Sequence, residues 1–64
     1  MAKKMNHSEY IARTRKMTES ALRFTIDDCK QAIAAMPENE NAGYYADEIH
    51  YCGMELTRRQ KKNR

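Results

Sequence analysis

Residues 36–43 read MPENENAG, and this octet holds most of the chain's structural punctuation. Pro37 biases Met36 away from helical dihedrals, so a helix should finish at or before that residue. Asn39 and Asn41 each offer a side-chain oxygen to the unpaired N–H groups that open a helix. Helix formers dominate on both sides, with only two Gly and one Pro in 64 residues. The octet therefore predicts a loop over 37–41, between a helix over 8–36 and a second over 42–60. The fold class expected is all-α, an antiparallel two-helix hairpin.

Apolar spacing extends this reading in both directions. Upstream, Leu22, Ile26, Cys29, Ile33 and Met36 recur at intervals of 4-3-4-3, one stripe of a helix. Ile11 and Thr18 prolong the stripe weakly, and Asn6 with Glu9 three residues later has the form of a capping box, with Ser8 as a competing cap. A second strip, Tyr10, Met17, Ala21 and Phe24, lies to one side, and Arg13, Lys16, Ser20, Arg23, Asp27 and Lys30 fall opposite. Downstream, Tyr45, Ile49, Cys52 and Leu56 repeat the pattern at 4-3-4, with Tyr44 and Tyr51 beside them. Gly53 costs a helix about 1 kcal/mol of propensity, which suggests close backbone packing as its compensation.

At ~1.5 Å per residue the first helix would be about 40 Å long and the second about 30 Å. Folded back from the loop, the second would cover the first only as far as Met17. Tyr10, Ile11 and Met17 would then have no partner within the chain. The economical solution is a homodimer in which two hairpins form a four-helix bundle. Tyr10, Ile11, Met17, Phe24, Tyr44 and Tyr51 are the candidate dimer or partner interface, since Tyr and Met are favoured in such places.

Composition bounds the rest. Hydrophobic residues at 41% argue against full disorder, yet a chain of 64 residues is short for a self-sufficient core. Two cysteines, Cys29 and Cys52, sit on the apolar stripes and read as small buried hydrophobes. The absence of a signal-like or membrane-length apolar run leads to an expected cytoplasmic location, with no membrane partner. Residues 1–7 are expected to form a flexible basic N-terminus, and 61–64 a basic tail.

Charge is unevenly distributed within the net +3. Residues 1–26 carry six basic and two acidic groups, and 54–64 carry five and one, giving +8 together; residues 27–53 carry one basic and six acidic groups, giving −5. In a hairpin both chain ends meet, so the termini would form a basic end and the loop an acidic one. Lys3, Lys4, Arg13, Arg15, Lys16, Arg58, Arg59, Lys61, Lys62 and Arg64 are the candidate nucleic-acid contacts, through phosphates. The competing reading is a solvated helix end, its cations complementing the helix dipole. No base-reading element such as a helix-turn-helix is visible.

Catalytic chemistry finds little footing. Asp47 and His50 have the spacing of a helical metal-ligand pair, but Glu19, Asp27 and Asp28, the carboxylates that could complete the set, fall off the apolar stripe. His50 and Cys52 point to different faces, which argues against a nucleophile pair, and no Gly-rich phosphate loop is present. Neither an enzyme nor a cofactor or metal site is expected.

The run TESALRFTIDDCKQAIAAMPENENAGYYADEIHYCGMELTRRQ, above all YYADEIHYC and ELTRRQ, resembles a family of short early proteins of lambdoid bacteriophages, encoded between the exonuclease and excisionase genes. The likeness spans about residues 14–60. It implies a non-enzymatic accessory protein that influences prophage induction and the host cell cycle, and it assigns no functional residue. Two functions follow as expectations: a regulator that binds a host protein, and, as the alternative, a nucleic-acid-binding accessory factor using the basic end.

Overall fold

The computed structural model describes residues 4–62, so Lys3 and Arg64 lie outside the described residues. The described chain is all-helical, as the spacing predicts, but it has three helices: α1 (His7–Lys16), α2 (Glu19–Ala35) and α3 (Ala42–Lys62). The helix expected over 8–36 is divided at Met17 and Thr18. Both residues are extended, with ψ of 148° and 159°, and the Thr18 side chain accepts from Ala21 N–H to cap α2. The Thr14 hydroxyl donates back to the Ile11 carbonyl at 2.7 Å, a kind of bond that Thr25 in α2 and Thr57 in α3 also make without ending their helices.

The other boundaries follow local chemistry. Asn6 caps α1, its side chain accepting from Glu9 N–H at 3.1 Å. Met36, ahead of Pro37, leaves the helical region with ψ 77°. In the loop, Asn39 Oδ1 accepts from Asn41 N–H at 2.7 Å, and the Asn41 carbonyl accepts the first helical bond of α3 from Tyr45 N–H.

Both α1 and α2 lie against α3. Tyr10, Leu22 and Cys52 meet at the centre, with Met5, Met17, Ile26, Tyr51 and Leu56 packed around them. Cys29 is also buried. The break at Met17 lets α1 turn back along α3, so Tyr10 and Met17 gain the intrachain partners that an unbroken helix would deny them. This removes the premise on which a dimer was expected to cover them. It also changes the register: Tyr10 and Thr14 are the buried face of α1, while Ile11 is at the surface. Gly53 departs from expectation too. No atom lies within 4 Å of where its Cβ would stand, so close packing is not why a glycine occupies the site.

Candidate functional site

Arg59 organises the end of the molecule where α1 and α3 finish together. Its Nη2 donates to the carbonyls of Thr14 (3.2 Å), Arg15 (3.4 Å) and Met17 (2.6 Å) at the end of α1, where the Thr14 carbonyl also accepts from Met17 N–H. Glu55, one turn earlier on α3 and 5% exposed, accepts from Arg59 Nε at 2.8 Å and holds the guanidinium in place. Arg58 makes two further bonds to the same carboxylate, at 2.9 and 2.7 Å. The Arg58 bonds, followed by the bond from Arg59, bring the Glu55 carboxyl down to about 2. Two arginines of the expected phosphate-binding set are thus joined to a buried carboxylate, and Arg59 is a structural clamp.

A second cluster fixes the other end of the α1–α3 contact. The Tyr10 hydroxyl donates to Glu48 Oε2 at 2.7 Å, and burial, reinforced by this bond, pushes the phenol well above its ordinary range. His7 Nδ1 is hydrogen-bonded to the Tyr51 hydroxyl at 2.6 Å. The Tyr51 ring is flanked by His7, His50 and Tyr10 at centroid distances of 5.5, 5.4 and 6.2 Å. Tyr51 is therefore held at the α1–α3 seam rather than free to swing.

Beside Tyr51 the seam opens into a groove of about 220 Å³, whose apolar lining comes from Ile11, Tyr51 and Met54. Arg15 and Arg58 flank it. Ile11 is 36% and Met54 52% exposed, a surplus of apolar surface for so small a protein. Through Met54 and Arg58 the groove continues onto the shallow outer face of α3, past Gly53 to Lys61. Through Ile11 and Arg15 it continues onto the outer face of α1 and reaches Lys16.

The structure sorts the expected interface residues. Ile11 and Tyr51 come together on this face, but Tyr10 is 5% exposed and is a core residue, correcting its place at an interface. Met17 is half-buried against the core. Phe24, 71% exposed, stands on α2 and takes no part in the groove. Tyr44 is half-buried with its ring 6.4 Å from that of Tyr45, and it lines a different depression with Lys4 and Arg13.

The expected basic end is also redrawn. Because α1 starts beside Tyr44 and finishes beside Arg59, Lys4 lies far along α3 from Lys61 and Lys62. The Arg13 guanidinium lies over the Tyr10 ring at 5.8 Å. Arg15, Lys16, Lys61 and Lys62 remain as exposed cations in no ion pair among the described residues. The sequence marks Met54 only by its place two residues after Cys52, on the far side of the helix from that buried thiol.

Among the described residues no group of three or more His, Cys, Asp or Glu could hold a metal ion, and no helix is long and apolar enough to cross a membrane. Burial pushes both thiols up, Cys29 to about 11, which keeps them protonated at neutral pH. Compared with protein-family models, curated proteins and solved structures, the chain matches none.

Proposed function

We propose that this chain is a non-catalytic accessory protein that acts by binding another protein through the α1–α3 face. The observation that carries the reading is the exposed apolar pair Ile11 and Met54 on either side of a Tyr51 ring held in place. Interfaces of this kind use rigid aromatics and adaptable methionines as anchors. The resemblance of residues 14–60 to short early phage proteins supports a partner in the cytoplasm of a bacterial host, and a role in phage development or the host cell cycle. Two copies could pair their α2–α3 hairpins as a four-helix bundle through α2, where Phe24 is exposed, leaving the α1–α3 face free.

The test is site-specific photocrosslinking in bacterial cells, with the reactive side chain at position 54 and, as a control, at position 24. A discrete protein adduct from position 54 and none from position 24 is expected. Adducts to nucleic acid alone would sink the reading.

The second reading, nucleic-acid binding, is favoured by Arg15, Lys16, Lys61 and Lys62, which stand exposed at the Arg59 end and in no ion pair among the described residues. Among the described residues the aromatic beside these cations is Tyr51, whose ring is packed against His7, His50 and Tyr10 and so has less face left for stacking a base.

A further inference from the structure

The charges around the α1–α3 groove select among protein partners. Arg15, Lys16, Arg58 and Lys61 border the continuous face, and its one carboxylate, Glu55, is buried and already bonded to two arginines. The apolar strip running between Ile11 and Met54 is therefore bordered by positive charge with no exposed negative group among its lining residues. Of the other acidic groups, Glu38 lies at the loop and Glu48 is bonded to Tyr10.

We infer that the occupant of this face is an acidic amphipathic helix of a partner protein. Its apolar side would seat against Ile11, Tyr51 and Met54, and its flanking carboxylates would meet Arg15, Lys16, Arg58 and Lys61. A helix suits the site because the face is a strip along two helices and offers apolar anchors, the arrangement that helix-in-groove recognition uses. An extended strand would find no sheet edge to join among the described residues. Gly53 fits the same picture: the space beside its missing Cβ, open in the free protein, lets a second backbone approach α3 closely.

This inference rests on the protein-binding reading, and the experiment separates the two. The probe is a short synthetic helical peptide with leucines at i, i+4 and i+7 and glutamates on both flanks. Two controls accompany it, one with lysines for the glutamates and one with the acidic sequence scrambled. A random DNA duplex is titrated alongside, and binding is followed by amide chemical shifts of the labelled full chain. The acidic helix should shift the amides around Ile11, Tyr51 and Met54, and the two control peptides should not. Met54→Asp, at an exposed position, should weaken binding by about tenfold or more while the spectrum stays dispersed. The double variant Arg15→Glu with Lys61→Glu should transfer the preference to the lysine peptide.

Equal binding of acidic and lysine peptides at this groove would overturn the acidic partner and leave the protein-binding face standing. Shifts centred on Phe24 would overturn the face itself. If the same amides shifted with protein concentration alone and Met54→Asp abolished the effect, the occupant would be a second copy and the inference would fail. Binding of the duplex with no response to any peptide would overturn both readings.

Discussion

Arg59 holds two parts of the chain that share no sequence proximity, and it can do so because a guanidinium is a planar, multi-donor group. One nitrogen serves three carbonyls at the end of α1, while Nε is anchored by Glu55. Lysine carries the charge without that geometry. Arg59→Ala should therefore cost about 1–3 kcal/mol, the usual range for losing hydrogen bonds to a charged group. Urea denaturation measures the loss, and hydrogen exchange should localise it to His7–Lys16. Arg59→Lys should restore only part; full recovery would mean that charge alone holds α1. Glu55 supplies a pH dependence of definite sign. Its folded pKa of about 2 lies below the ordinary 4.5, so the stability it contributes is complete above about 4.5. That contribution is lost as pH falls towards 2. Thermal unfolding followed from pH 6 to pH 2 should show the decline, and Glu55→Gln should be less stable at neutral pH with a flatter profile below 4.5. An unchanged profile in the variant would show that other carboxylates dominate.

The helices show which features the sequence displays and which it hides. The loop at MPENENAG and the stripe through Leu22 and Cys29 are legible because Pro37 and the apolar spacing act locally. The division at Met17 was also written, in Thr18 followed by Glu19 and Ser20, a common way to open a helix. It was masked because Ile11 and Thr18 can be threaded onto the downstream stripe at the same spacing. Once the break is admitted, Tyr10 and Thr14 become the buried pair and Ile11 turns outward. The clamp was not legible at all, because no local pattern says that Arg59 will reach carbonyls more than 40 positions away. For the candidate face, Ile11 and Tyr51 could be suspected from the sequence, whereas Met54 needed the fold. Two substitutions test these elements. Thr18→Ala removes the cap of α2 and should cost about 1 kcal/mol by chemical denaturation. Gly53→Ala should stabilise α3 by about 0.5–1 kcal/mol, because no atom stands where the methyl would go. Should the alanine destabilise the isolated protein, the site would be tighter than its geometry indicates.

At the scale of the whole molecule, the distribution of charge decides how the two functional readings can be told apart. Deleting residues 58–64 looks like a clean removal of basic charge, but it also removes both arginines that neutralise Glu55 and the cap on α1. Such a truncation should lose α1, so reduced binding to any partner would not identify the surface responsible. The double variant Lys61→Glu with Lys62→Glu is the sounder probe, since neither residue is in an ion pair among the described residues. It should keep the wild-type exchange protection in α1. Any binding of a DNA duplex by the wild-type chain should draw on Arg15, Lys16, Lys61 and Lys62, the exposed cations at the Arg59 end that are in no ion pair among the described residues. Four phosphate contacts release few counterions, so the logarithm of the affinity should fall against the logarithm of salt with a slope no steeper than about −4. Reversing Lys61 and Lys62 should bring that slope to about −2 or abolish binding. A measured wild-type slope near −7 would require further basic groups to reach phosphates as well, and the clamp would have to open on nucleic acid if Arg59 were one of them. A shallow slope, together with the acidic-helix response, would leave duplex binding as the incidental attraction of a basic chain.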